Sequence, residues 1–572
     1  MEQIVAQYVR RPCYPPAGSQ PVHRGWPSAA STIDPDIRRI AVDGPAMPHW
    51  EAVARAMTQA VEQATGRPVA LISTATLSRP WSEILDLTGS PGLADDPDFA
   101  RLAGGTLDDL IEPDRLITPG TGQDVVQLVY GPGAALTDPD VLWWLDRPKR
   151  YAEAEVTAGT GVNLFQPGDL PPSTRRLFYT DWPLLDRHRD AISGRVDLWG
   201  DLRDLQQPTW ITGDCLRQSC ARLADRPFRT LPTFNSTPWG GHWAERKLGM
   251  NSEGPNTALG YELIAPESGV LLGDHPDLSV EIPFQLVVSR HPGRLMGESV
   301  HDRFGTSFPI RFDYLDTVDG GNLSIHTHPQ PDVMREVFGW PYTQHESYYL
   351  MVGGEENLVY LGLQGDVDLD EFHQEAERAH DHGRRFDITR YVQTFPATEH
   401  QLFLVPAGTP HGSGAGNVVL EVSATPYLYS LRFFDWLRTD GQGRQRPVHV
   451  EHAFRNLDPR RQGRAVRDEL VQAPRRIGEG QGWHEELLGS LPEMFFEVRR
   501  LVIDPAEAAD QADDGRFHVL TLVEGDSCRV ETARGDHELN YAETIAVPAG
   551  LGSYRVRSTS TTRVRLVKAR VT

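Results

Sequence analysis

The sequence predicts a multidomain chain in which an N-terminal α/β unit with a parallel sheet precedes two all-β barrels, the first interrupted by a helical insertion. Three observations carry this expectation. The chain has 572 residues, whereas a single hydrophobic core stops growing at ~250–300 residues. Its first part alternates short apolar runs with an amphipathic helix, the pattern of buried parallel strands joined by crossovers. From about residue 226 the pattern becomes short alternating strands with Gly and Pro turns, as a barrel requires, and the turn Val-Pro-Ala-Gly occurs at 405–408 and again at 547–550. The expected division is an extended arm over 1–30, an α/β unit over 31–225, a metal-binding barrel over 226–475 and a second barrel without metal ligands over 476–572.

Taken in order, the arm is rich in proline, glycine and small polar residues. Residues 38–44, Arg-Arg-Ile-Ala-Val-Asp-Gly, read as a strand ending in a glycine turn, and residues 49–66 follow as an amphipathic helix closed by Gly66. Three further apolar runs, at 69–74, 124–136 and 141–146, read as parallel strands. Within the first barrel, residues 366–386 carry acids at the start, helix formers through the middle and Gly383 at the close, so the spacing predicts a helix there. His373, His380 and His382 lie on it. Its polarity favours a solvated helix over the barrel mouth rather than a ligand set. In the last ninety or so residues, Ser553 stands where the first barrel has His411, and the segment has no His-x-His, so metal is expected in one barrel only.

Composition excludes several classes. The 56 basic and 79 acidic residues leave a net charge of −23, which opposes nonspecific nucleic-acid binding by clustered cations. No apolar run approaches the ~18 residues of a membrane helix, and the N-terminus lacks an apolar core of signal-peptide length, so a cytoplasmic protein with no membrane contact is expected. The four cysteines, Cys13, Cys215, Cys220 and Cys528, are too scattered for a disulfide framework and read as idle thiols.

The strongest chemical signal is Leu323-Ser-Ile-His-Thr-His-Pro329, taken with Glu346 and with Val405-Pro-Ala-Gly-Thr-Pro-His411. Residues two apart on a strand share a face, so His326 and His328 present both imidazoles to one ion. Chance pairing is the plain alternative in a chain with 20 histidines. Context argues against it: the Pro-Ala-Gly turn ends one strand and aims His411, the first residue of the next, at the same interior. Three imidazoles and one carboxylate suit Zn, Mn, Fe or Ni better than Ca or Mg, which take all-oxygen shells.

These are the two half-motifs of a cupin, a glycine, His-x-His and a Glu, then Pro-x-Gly-x-x-His with Asn417 beyond it. The resemblance narrows to class I mannose-6-phosphate isomerases over about residues 233–440, carried by residues 323–329, 344–350, 405–412, 419–422 and 429–436 and by Thr237-Pro-Trp-Gly-Gly241. Three positions differ. His326 stands where that family has glutamine, and Arg311, in Phe308-Pro-Ile-Arg-Phe312, stands where it has a strand lysine. Gln344 also replaces a lysine found in many members. The resemblance implies one divalent ion, Zn foremost with Mn, Fe or Ni also suited, on His326, His328, Glu346 and His411. It implies Glu421 as base, Arg432 facing the reacting carbons, Ser324 and Arg311 on a phosphate, and Trp239 as a wall of the sugar site.

The function this implies is interconversion of mannose 6-phosphate and fructose 6-phosphate through a cis-enediol, with a sugar phosphate as the small-molecule partner. An isomerase of an unphosphorylated sugar, which His326 favours, and a non-catalytic sugar-phosphate sensor stay open. The α/β unit resembles a nucleoside-kinase-like P-loop domain. Its loop, Asp43-Gly-Pro-Ala-Met-Pro-His-Trp50, has neither the lysine nor the hydroxyl that phosphate binding needs. A scaffold or homodimerisation role is expected of it.

Overall fold

The structure is a computed structural model that describes residues 8–116, 124–426, 428–440 and 443–572. Its first layer is a seven-stranded sheet in the order His23–Arg24, Thr209–Thr212, Leu198–Asp201, Val141–Asp146, Arg39–Asp43, Val126–Tyr130, Val69–Ser73. The last five strands are mutually parallel, and the two at the other edge pair antiparallel. A strand buried on both faces has no use for alternation. Accordingly Ile40, Ala41 and Val42 on the central strand and Leu142, Trp143, Trp144 and Leu145 beside it are all buried. The helix Trp50–Thr65 lays Val53, Ala54, Met57 and Val61 on the sheet and ends at Gly66, whose φ of 69° is the left-handed cap that glycine adopts without strain.

The loop between the central strand and that helix closes on its own carboxylate. Asp43 accepts backbone N–H groups from Gly44 at 2.8 Å, Gly133 at 2.9 Å and Ala135 at 2.8 Å, and lies 2.8 Å from His188 Nε2. Asp43 is fully buried, so these contacts stand in for the water it has lost.

Two antiparallel sheets follow. The six-stranded one runs Leu402–Val405, Glu346–Val352, Val418–Ala424, Ile310–Asp316, Leu259–Leu263, Thr233–Asn235, and the five-stranded one Val392–Ala397, Gly354–Leu363, His411–Ser413, Ile325–Thr327, Leu431–Phe434. Their inner faces meet, because Glu346 of the first reaches His328 and His411 beside and on the second. A second pair of antiparallel sheets, of six and four strands, is built from residues 475–571. It encloses Leu501, Leu520, Cys528, Val530, Ile545, Val556 and Leu566, an interior of apolar groups with Ser553 exposed.

Two expectations need correction. The helix Leu369–His382 does not cover a barrel mouth. It packs its apolar stripe of Phe372, Ala376 and Ala379 on the outer side of the five-stranded sheet, with the Phe372 ring 5.4 Å from Phe433 and 4.8 Å from Tyr391. A stripe of that width must be buried, and the sheet's outer face offers Phe433, whose neighbour Arg432 points inward. Residues 8–30 are also less an arm than a strap: Cys13–Tyr14 pairs parallel with Gly269–His275, and the Tyr8 hydroxyl bonds Glu262. Among the described residues no helix is long and apolar enough to cross a membrane.

Candidate metal centre

His326 lies within the strand Ile325–Thr327 and His328 just beyond it, while His411 opens the neighbouring strand directly opposite His326. Glu346 opens a strand of the facing sheet. One ligand atom from each of the four lies within 4.8 Å of the others, and all four residues are buried. Glu346 Oε1 is 3.0 Å from His328 Nε2, and Oε2 is 3.1 Å from His411 Nε2.

The tautomers follow from the outer contacts. His326 Nδ1 lies 2.9 Å from the Ser324 carbonyl, His411 Nδ1 2.9 Å from Thr409 O and His328 Nδ1 3.2 Å from Tyr429 O. A carbonyl only accepts, so each Nδ1 carries the proton and each Nε2 turns a bare lone pair inward. Lone pairs therefore face a carboxylate, acceptor against acceptor. His328 Nε2 has no hydrogen-bond partner among the described residues despite its nearness to Glu346. This arrangement is repulsive until a cation enters, and three nitrogens with one carboxylate oxygen match a divalent transition metal.

Protonation agrees. Burial and the neighbouring His411 and His328 push His326 well below the ordinary imidazole range, and burial lowers His328, so both stay neutral as ligands must.

Glu346 is held from behind. Gln344 Nε2 donates to Oε1 at 2.5 Å, and Arg311 Nη2 reaches the same oxygen at 3.1 Å. Arg311 also bonds Glu421 through Nη2 and Ser423 Oγ through Nε at 2.9 Å, and Asp313 Oδ1 is 3.7 Å from Nε. Glu421 is pushed well above the carboxylate range by burial and then by Asp313 and Glu346, while burial raises Asp313 to about 6. Arg311 is thus enclosed by three carboxylates rather than facing open solvent.

A cavity of about 250 Å³ opens on this cluster, lined by His326, Glu346, Glu421, Ser324, Arg432 and Trp239 among others. Arg311 also lines it. The cavity also exposes residues that motif reading passed over: Asp313, Tyr261, Tyr348, Ser430 and Arg446. Asp313 was findable, since it is two residues beyond Arg311 on one strand. Arg446 was not, because it sits in an irregular segment after the last strand of the sheet. Arg446 Nη1 and Arg438 Nη2 share Asp435 at 2.9 Å each, and burial with Arg446 alongside lowers Arg432. Arg432 and Arg446 line the cavity, and with Arg438 they stand against two carboxylates, Asp435 and Asp98, which leaves this side of the cavity positive. A second group joins His373 and Glu377 of the outer helix to Glu451 of the helix Val450–Asn456 and is largely exposed.

Residues 25–225 match a family model described as a domain of unknown function, DUF8485. Curated relatives align over part of the chain. A mannose-6-phosphate isomerase of Streptococcus mutans is 25% identical over 219 residues, 38% of this chain and 63% of the relative, so the chain spans less than two thirds of that protein's length. The probable mannose-6-phosphate isomerase GmuF of Bacillus subtilis is 28% identical over 258 residues, 45% of this chain and 74% of the relative. A solved mannose 6-phosphate isomerase structure from Bacillus subtilis covers 60% of this chain and 99% of its own, with 19% identity and a TM-score of 0.48.

Proposed function

We propose that the protein is a metal-dependent aldose–ketose isomerase acting on mannose 6-phosphate and fructose 6-phosphate. The observation that carries this reading is the buried acceptor-only cluster of His326, His328, Glu346 and His411, set against a cavity that Glu421 and Arg432 also line. The names of the partial relatives supply the substrate class.

A divalent ion on the four ligands, Zn by resemblance, would act as a Lewis acid toward the sugar's carbonyl or hydroxyl oxygen. The remaining steps belong to the chain's own groups. Glu421, ionised, takes the proton from C2 of the open-chain aldose while O1 gains a proton, giving the cis-enediol. The same carboxyl returns the proton to C1 as O2 loses its own, giving the ketose. A base whose carboxyl is raised well above the carboxylate range by burial can hold the proton between the two halves of that transfer. Arg432 pairs across the sheet from His326 and lines the cavity, so its guanidinium faces the developing enediolate. Ser324 and Trp239 contact the bound sugar phosphate. Arg446, with the positive charge around it, grips the phosphate, and Arg311 holds Glu346 and Glu421 in place.

A coupled assay offering mannose 6-phosphate and free mannose in turn tests the proposal. Turnover of the phosphorylated sugar, lost on chelation and restored by metal, is expected. Turnover of free mannose alone would reassign the substrate, and binding without turnover of either would make the protein a sensor.

A further inference from the structure

We infer that the N-terminal α/β unit completes the metal centre, by clamping the segment 428–432 through which His328 and Arg432 are positioned. The inference rests on the metal-isomerase reading above and assigns residues outside the barrel to it.

The clamp is read residue by residue. The Tyr179 hydroxyl, from the α/β unit, donates to Leu428 O at 3.2 Å. The next residue, Tyr429, supplies the carbonyl that receives His328 Nδ1. Its own hydroxyl, with one proton to give, lies 3.3 Å from Ala100 O and 3.4 Å from Phe338 O, and its ring packs 5.4 Å from Tyr179 and 6.1 Å from Phe99. Tyr429 is therefore bound at both ends, to the α/β unit by the ring and hydroxyl and to a ligand histidine by the carbonyl. Ser430 and Arg432 then enter the cavity.

A second tie runs through the helix Val450–Asn456 and the residue before it. Arg432 N–H donates to His449 Nδ1 at 3.2 Å, and His449 N–H returns a bond to Arg432 O at 2.8 Å. His449 Nε2 faces Asp98 at 3.5 Å, Phe99 lies on its ring at 4.6 Å, and His452 Nε2 meets Asp96 at 2.6 Å. Asp96 also accepts the N–H groups of Asp98 and Phe99, which fixes the loop that makes these contacts. Leu102 N–H to Phe338 O and Ala103 N–H to Tyr179 O anchor the same loop further along. A ligand histidine depends on its outer hydrogen bond for tautomer and angle, and disturbing such partners typically costs 10–100-fold in metal affinity. Here the partner is a backbone carbonyl, so whatever holds that backbone holds the metal.

The test measures Co²⁺ affinity by chelator competition, together with the visible Co²⁺ spectrum, on the full chain. Tyr179→Phe deletes the hydroxyl to Leu428, and Asp96→Asn weakens the loop's tie to His452. Arg150→Gln cuts a different contact of the α/β unit, the paired 2.7 Å bonds to Glu281. Tyr179→Phe and Asp96→Asn are each expected to bind Co²⁺ about 10-fold more weakly with a shifted spectrum, while Arg150→Gln matches the parent. Should Tyr179→Phe not fold, Asp96→Asn carries the same readout. Parent-like affinity and spectrum in the clamp variants would overturn the inference, as would an equal loss in Arg150→Gln. A parent that takes up no Co²⁺ would sink the metal centre and this inference together, whereas a parent that binds Co²⁺ but isomerises neither sugar would sink only the proposed reaction.

Discussion

Arg311→Ala separates two roles for one guanidinium. If Arg311 reads the substrate phosphate, its loss raises KM about 10-fold or more, the ~1.4 kcal/mol of a charge-assisted contact, and leaves the free protein as stable as before. The geometry points elsewhere. Arg311 is bonded to Glu346, Glu421 and Ser423 and sits near Asp313, all of them buried. With the arginine these groups sum to −2, one cation against three carboxylates, and without it to −3. Removing the partner of a buried ion pair typically costs ~3–5 kcal/mol, and at ~2–4 °C per kcal/mol for a unit of this size the melting temperature should fall on the order of 10 °C. Protonation of Glu421 and Asp313 absorbs part of this, so the fall should be smaller at pH 5 than at pH 8. Differential scanning calorimetry of metal-free parent and variant at the two pH values reads the effect. Unchanged melting with a raised KM for the phosphorylated sugar would refute the reasoning and return Arg311 to the phosphate.

His411→Ala removes one of the three inward lone pairs and should abolish stoichiometric metal uptake; elemental analysis that still finds about one equivalent would reject the ligand set. Arg432→Ala is expected to lower kcat on the order of 100-fold, as loss of an oxyanion donor does, with metal content unchanged, and full kcat would count against its transition-state role. Arg446→Ala should raise KM for a phosphorylated sugar about 10-fold, the loss of a charge-assisted phosphate contact, without altering kcat, which steady-state kinetics would show. Burial raises Asp146 to about 7 despite Arg189. A raised carboxyl is a penalty absent below its unfolded pKa of ~3.9 and fully developed above about 7, so stability should fall as pH rises through that window. Asp146→Asn should flatten this fall, and identical melting–pH curves for parent and variant would contradict it.

What the sequence disclosed is what depends on local period and turn chemistry. Two histidines two apart on a strand share a face whatever surrounds them, and a Pro-Ala-Gly turn fixes the start of the next strand, so His326, His328 and His411 could be grouped before any fold was known. Arg39–Asp43 and Val141–Asp146 announced themselves as continuous apolar runs for the same reason. Contacts across long separations left no such mark. Nothing near Asp96 or Tyr179 signals that they face His452 and Leu428 respectively, and the acidic helix 369–382 gives no hint of which face of a sheet will take Phe372. Arg311 was visible as a cation on an apolar strand. That its donors are taken by Glu346, Glu421 and Ser423 depends on which strands neighbour it, and pairing order is set by topology rather than by the strand's own residues.

The short parallel pairing of Cys13–Tyr14 with Gly269–His275 bears on how the chain is made. Residues 13 and 271 are register partners, and at ribosomal speeds of ~5–20 residues per second the strap waits roughly 10–50 s for its docking strand. The α/β unit, with its edge strand His23–Arg24, has emerged by then and domains generally fold as units, so the Cys13–Tyr14 pairing is added to a unit already formed. A nascent chain should stay accessible to protease around Cys13–Tyr14 until synthesis has passed residue 283, where the receiving hairpin ends. A bulky fusion ahead of this segment would be carried into that closing step.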